Sequence, residues 1–109
     1  MSQLYRFTEY RSSPRRVLFD RAELNQLLSL YSRNVANGEW RDYAIDQVGG
    51  AAIFSVFRHT HDSPLFSIAK LGNNRSIEYV VFSGREKLKR ANSLREALKV
   101  FRNKLRVIS

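Results

Sequence analysis

The sequence contains no cysteine among its 109 residues. Disulfide bonds, thiolate catalysis and every zinc or iron–sulfur site that uses cysteine are therefore excluded. Histidine cannot replace it, because the only two, His59 and His61, stand two residues apart with Asp62 beside them, and a metal site normally needs three or four ligands. We expect no bound metal and no redox chemistry.

Long apolar runs are missing as well. No stretch approaches the roughly 18 uninterrupted apolar residues of a membrane-spanning helix. Residues 1–16 contain no apolar core of the kind found in signal peptides. From these two absences we expect a soluble, cytoplasmic protein.

Recognisable catalytic motifs are a third absence. The sequence has no glycine-rich phosphate loop, no G-x-S-x-G nucleophile turn and no H-E-x-x-H zinc motif. The stretch EWRDY at 39–43 does combine two carboxylates with the only tryptophan. We interpret it as a structural joint covered by Trp40, because an acid–base pair needs carboxylates held apart in a cleft. We predict no enzymatic activity, no cofactor and no small-molecule substrate.

What the chain does contain is enough apolar material for one core. Hydrophobic residues make up 43% of the sequence and aromatic residues 12%, which is too apolar for a disordered chain. Residues 1–16 carry scattered arginines and no periodicity, so we predict a flexible basic arm there. Residues 17–109 are predicted to form a single α+β domain.

Two helices are predicted from their start signals and apolar spacing. Asp20 followed by Glu23 is a capping-box pattern, and an apolar stripe then runs to Gly38, so the first helix should span 21–36. The stripe consists of Leu24, Leu27, Leu28, Tyr31 and Val35. Ser93 with Glu96 marks a second start, and Leu94, Ala97, Leu98, Phe101 and Leu105 predict a helix over 94–104.

Between the helices the apolar period changes to two. We predict strands at 42–48, 51–59, 64–71 and 77–83, with Gly49-Gly50 as a tight hairpin turn. Short connections favour antiparallel pairing of neighbours. The predicted fold is therefore an α+β sandwich of the order helix, four strands, helix, with a four-stranded antiparallel meander and both helices packed on one face.

The strongest functional signal is positive charge near the C-terminus. The net charge of the chain is +9, and residues 84–109 carry +7 of it, from nine basic and two acidic residues. At 100° per residue, four of the basic residues share one side of the second helix, and three more precede it. This predicted basic face consists of Lys87, Lys89, Arg90, Arg95, Lys99, Arg102 and Arg106. It is typical of nucleic-acid or other polyanion binding, or of contact with an acidic protein. A solvated helix face would look the same.

An apolar second face of the sheet supports a different function. In AAIFSVF and FSIAK both alternating sets of side chains are apolar, and two helices cover only one face. We therefore keep a homo-oligomeric, for example dimeric, or adaptor protein as the alternative, acting through Phe54, Val56, Phe66 and Ile68. The N-terminal arm or the segment 105–108 would cover the same face in the simpler interpretation.

The same residues carry a family resemblance. The stretch VLFDRAELNQLLSLYSRNVANGEWRDYAID, followed by AIFSVFR, PLFSIAK and VFRNKLRVIS, resembles small alphaproteobacterial proteins classed as domain of unknown function family 2794. The resemblance covers about residues 17–109 and is most specific in GEWRDYAID. It implies a bacterial cytoplasmic protein of one domain, and the family offers no catalytic residues to transfer.

Overall fold

The sheet contains five consecutive strands joined as an antiparallel meander. The computed structural model describes residues 17–59, 63–72 and 76–102. In the sheet order β1-β2-β3-β4-β5 every strand lies beside its neighbour in sequence. The strands are β1 (Asp42–Val48), β2 (Ala51–Phe57), β3 (Phe66–Gly72), β4 (Ile77–Ser83) and β5 (Glu86–Ala91). The α+β class and the antiparallel sheet are confirmed, and the predicted count of four strands is wrong.

The fifth strand follows a two-residue turn, as long as the Gly49-Gly50 turn that was predicted between β1 and β2. Gly49 has φ +59° at the two-residue turn between β1 and β2, and Gly84 has φ +62° at the turn between β4 and β5. Glycine adopts this left-handed region without the clash that a Cβ atom causes. The strand was missed because β5 reads EKLKRA, in which Leu88 is the only large apolar residue, and this looks like a solvated basic run.

Helix α1 (Arg21–Ala36) has the predicted bounds. The Asp20 side chain accepts the backbone N–H of Glu23 at 2.8 Å, and the Glu23 side chain accepts that of Asp20 at 2.8 Å, so the capping box is complete. The buried face differs from the predicted stripe, since Val35 is exposed and Leu30 is buried in its place. The buried face of α1 is thus turned about the helix axis relative to the predicted stripe, and Glu23 is buried as well.

The second helix is shorter than predicted. Helix α2 (Leu94–Ala97) begins after Ser93, whose hydroxyl accepts the Glu96 backbone N–H at 3.2 Å. Leu98 lies in a turn, and residues 99–102 are helical again. Residues 103 and 104 of the predicted helix lie outside the described residues.

The core lies on one face of the sheet, which we call the core face. Register places Phe54 beside Ile68 and Ile68 beside Val81, so their side chains point the same way. These residues form one buried cluster with Leu27 of α1 and Leu94 of α2. Both helices therefore pack on the same face, as predicted.

The residues proposed for the second face lie on the core face instead. Phe54, Val56 and Ile68 are fully buried and Phe66 is half-buried against them. The adaptor assignment to these four side chains is wrong. The alternation of side chains along the strands was predicted correctly, but the helices cover the face that carries these four residues and not the opposite face. The other face, which we call the outer face, carries Ile53, Phe57, Leu71, Val80 and Phe82.

Trp40 closes the seam between α1 and the sheet, as predicted. It is 5% exposed, and its ring centroid lies 5.6 Å from that of Phe101, 6.1 Å from Phe66 and 6.5 Å from Tyr31. Its backbone N–H donates to the Asn34 carbonyl at 3.2 Å. EWRDY is thus a packed joint at its tryptophan. The predicted arm at 1–16 lies outside the described residues.

Candidate anion-binding groove

A groove of about 940 Å³ separates α1 from the segment 94–102 on the surface of the protein. Its described lining comes from both sides: Asn25, Gln26, Ser29, Leu30 and Arg33 of α1, and Arg95, Glu96, Leu98, Lys99 and Arg102 opposite. Positions 26, 29, 30 and 33 share one side of α1 because helical neighbours recur every three or four residues. The groove is therefore walled by one polar flank of each helical segment.

Four cations converge on this groove. Arg95, Lys99 and Arg102, which were predicted to share one face of a helix, line it from one side, and Arg33 lines it from the other. All four residues are exposed. An ion or backbone lying in the groove would meet guanidinium and ammonium groups from two separate elements, which suits a ligand with several negative charges.

One carboxylate shares the groove with the cations. The Lys99 ammonium donates to Glu96 Oε2 at 2.9 Å. This hydrogen bond lowers the pKa of Glu96, and the charges of Lys99, Lys89 and Arg95 lower it further. Glu96 thus takes up the Lys99 ammonium, a donor that an incoming anion would otherwise use.

The other predicted basic residues lie away from the groove lining. Lys87, Lys89 and Arg90 belong to β5 rather than to a helix. Arg90 Nε donates to Glu78 Oε1 of β4 at 2.8 Å, so its charge is already paired across the strands. Lys89 is close enough to influence Glu96. Arg106 lies outside the described residues.

Arg33 is the groove residue that sequence reasoning missed. It belongs to a region of mixed charge, so a count along the chain gave no reason to group it with the C-terminal cations. A local signal did exist, since Gln26, Ser29 and Arg33 form a polar stripe at helical spacing. That stripe indicates a solvent-exposed face of α1. Only the tertiary fold shows that this face lines the same groove as Lys99.

A second polar cluster is buried beneath the start of α1. Glu23 accepts hydrogen bonds from the Lys70 ammonium at 2.7 Å and from the Tyr79 hydroxyl. The Lys70 ammonium also donates to the Leu18 carbonyl at 2.8 Å. Burial raises the pKa of the Tyr79 phenol, and the hydrogen bond to Glu23 and the charges of Glu23 and Asp20 raise it further. Lys70 and Tyr79 face each other across β3 and β4, so the cluster joins the helix start to the sheet.

Among residues 17–59, 63–72 and 76–102, no group of three or more histidine, cysteine, aspartate and glutamate residues is placed to hold a metal ion. His59 is exposed, and His61 lies outside these ranges. Within the same part of the chain, no helix has the length and apolar character needed to cross a bilayer.

Comparison with known proteins identifies a family and no closer relative. No curated protein and no solved structure matches the chain. The model of a family described as a protein of unknown function, DUF2794, matches residues 17–98. This range includes β1 to β5, α1, Trp40 and three of the five charged groove residues, namely Arg33, Arg95 and Glu96. The chain belongs to the DUF2794 family.

Proposed function

We propose that this protein is a non-enzymatic binding module for a polyanion, with the sugar–phosphate backbone of nucleic acid as the ligand of first choice. The observation that supports this is the convergence of Arg33, Arg95, Lys99 and Arg102 on one groove from two helical segments. Cations spread evenly over a surface would keep a protein in solution equally well. Their concentration around a concave site is what a ligand with closely spaced phosphates requires.

The polar side chains of α1 complement these cations. Asn25, Gln26 and Ser29 line the same groove and supply hydroxyl and amide groups. Such groups commonly bond phosphate and sugar oxygens, which positions a protein on a nucleic acid without reading its sequence. We therefore expect binding that depends strongly on salt and weakly on base sequence.

The exposed position of the groove favours a ligand that arrives from solution. The Lys99 and Glu96 side chains are both about half exposed, so exchanging Glu96 for a phosphate oxygen would require no unfolding of the core. Counterion release would supply much of the free energy, with log K falling by about 0.9 for each phosphate contact per tenfold rise in salt. With the four groove cations engaged, the expected slope is roughly −3 to −4.

The test is a titration of fluorescent duplex RNA, duplex DNA and single strands of equal length at two salt concentrations. We expect binding at low salt and a steep loss at high salt. Replacing Arg95, Lys99 and Arg102 together by Glu should abolish it. The matched control replaces the exposed Arg21, Arg41 and Arg58 by Glu, which changes the net charge equally away from the groove.

Thermal melts should show both triple variants folded, because exposed charges contribute little to stability. A wild-type protein that binds none of these ligands at low salt would overturn the proposal. Equal loss of binding in the two triple variants would also overturn it, since net charge rather than the groove would then explain the affinity.

A further inference from the structure

The two edges of the sheet differ in how well they are protected against pairing with another strand. At β5 a register shift between Val81 and Phe82 interrupts the ladder, and Lys87, Lys89 and Arg90 add charge. Bulges and lysines are common devices that prevent edge pairing. At β1 the pairing with β2 runs through seven consecutive residues without a shift. Among the described residues no strand lies on the outer side of β1.

Exposed apolar side chains are concentrated in β1. Those of β1 are Tyr43, Ile45 and Val48, and Ile45 is 47% exposed. The other two are Leu18, which follows Val17, whose carbonyl accepts the Gln47 amide at 3.3 Å, and Val35, one turn beyond Tyr31, whose ring centroid lies 4.8 Å from that of Tyr43. Together they are the large exposed hydrophobic residues of the described chain.

The hairpin register shows which backbone groups point outward. Val48 and Ala51 flank the two-residue turn, and such residues form a hydrogen-bonded pair. Because hydrogen-bonded and non-bonded pairs alternate, the backbone of Tyr43, Ile45 and Gln47 points away from β2. The Tyr43 N–H indeed donates to the Asp42 side chain at 2.8 Å instead of to the neighbouring strand. Three consecutive outward positions are therefore centred on Ile45.

We propose that β1 pairs antiparallel with β1 of a second copy of this chain, about a two-fold axis through Ile45. Ile45 then lies opposite Ile45 of the second copy, and Tyr43 lies opposite Gln47 in both directions. All three outward positions are used, which gives about six hydrogen bonds between the chains once the Tyr43 N–H exchanges the Asp42 side chain for the Gln47 carbonyl of the second copy. The two five-stranded sheets become one continuous sheet, and the interface is isologous, as in most homodimers.

The charges of β1 fit this register. Asp46 lies opposite Ala44 of the second copy and Asp42 opposite Val48, so no carboxylate directly faces another across the interface. An axis through Ala44 would instead place Asp42 opposite Asp46, and only Tyr43 and Ile45 would form hydrogen-bonded pairs within β1, which gives about four hydrogen bonds. The groove also stays open, because α2 packs on β4 and β5 at the other end of the sheet. The inference does not depend on polyanion binding.

The absence of cysteine makes a direct test possible. In the proposed register the two Ile45 Cα atoms are about 5.5 Å apart, which is within the range of a disulfide. The variant Ile45→Cys should form a covalent dimer under mild oxidation at micromolar protein. The control Val48→Cys places its thiol on a residue that is more exposed, at 62%, but about 20 Å from its symmetry mate along the strands.

Sedimentation velocity on the wild type, from low to high micromolar concentration, should show a monomer–dimer equilibrium. Ile45→Lys should shift it to monomer while Lys87→Pro, on the other edge, should leave it unchanged. Equal crosslinking of Ile45→Cys and Val48→Cys would overturn the inference. So would a wild type that stays monomeric throughout, since a partner other than a second copy would then have to occupy this edge.

Discussion

Two lysine–glutamate pairs of nearly equal length occupy opposite environments in this protein. Lys70 and Glu23 are 2.7 Å apart with side chains 12% and 10% exposed, whereas Lys99 and Glu96 are 2.9 Å apart with 46% and 51% exposed. The buried pair is completed by the Tyr79 hydroxyl and the Leu18 carbonyl. The exposed pair is surrounded by other cations. Distance alone does not separate a structural pair from a ligand site, whereas burial and the remaining partners do.

The difference follows from desolvation. A charge withdrawn from water must be compensated by fixed partners, so removing one partner of a buried pair leaves an expensive uncompensated group. An exposed pair exchanges its partner for water or another ion at little cost. The Lys70 cluster should therefore govern stability and the Lys99 groove should govern binding. The predictions below test this separation.

The largest expected effect comes from a matched pair of lysine substitutions. Lys70→Met leaves Glu23 buried with one cation fewer, and we expect a loss of about 3 kcal/mol in the free energy of unfolding. Lys99→Met should leave stability within experimental scatter and weaken polyanion binding. Urea unfolding of both variants measures the change in the free energy of unfolding. Equal stability changes in the two variants would contradict the separation.

A smaller effect is expected at the hydroxyl of the buried cluster. Tyr79→Phe removes one hydrogen bond to a buried carboxylate, and we expect a loss of about 1–3 kcal/mol measured by urea unfolding at neutral pH. Because the pKa of Tyr79 is raised in the folded protein, the folded state keeps this proton where the unfolded state has lost it. The stabilisation that the Tyr79 phenol contributes should therefore be fully present below about pH 10, the ordinary tyrosine pKa. It should be lost as the pH rises from there through the pKa of Tyr79 in the folded protein.

The comparison with the variant isolates this contribution. Above pH 10 the wild type should lose stability more steeply than Tyr79→Phe, by up to about 1.4 kcal/mol per pH unit for one proton. The other tyrosines are present in both proteins, so their contributions to the pH dependence cancel when the two stability curves are subtracted, apart from any coupling to Tyr79. Parallel curves for the two proteins would show that the phenol of Tyr79 does not need its proton in the folded state.

Much of the fold was predictable because its signals are local. The cap residues Asp20 and Glu23 and the Gly38 stop set the bounds of α1, and the Gly49-Gly50 turn set the register of β1 against β2. Strand β5 was not found because an edge strand needs little apolar content, and its turn at Gly84 was the only local sign.

Features that depend on packing between distant segments were less predictable. Alternation divided β2 into two faces but carried no information on which face the helices cover, so Phe54 was assigned to the wrong side. Likewise Arg33, Lys70 and Tyr79 acquire their roles only from residues 47 to 69 positions away. Arg95, Lys99 and Arg102 were found because helical spacing alone places them together.

A modest effect is expected from the carboxylate inside the groove. Glu96→Gln removes the charge that competes for the Lys99 ammonium, so we expect polyanion affinity to rise about three- to fivefold at low salt. Duplex titration by fluorescence anisotropy measures this change. Glu86→Gln on β5 is the matched control, because it gives the same change in net charge outside the groove lining. If both variants gain affinity equally, Glu96 has no special position.

The most direct measurement of the central claim compares two arginines of α1. Arg33 lines the groove, while Arg21, on the same helix and also exposed, does not. Duplex affinity is measured over a salt series for Arg33→Gln and Arg21→Gln. The account predicts that Arg33→Gln weakens binding about two- to threefold at moderate salt and lowers the salt slope by about one, whereas Arg21→Gln matches the wild type. Identical curves for the two variants would contradict the assignment of polyanion binding to the groove.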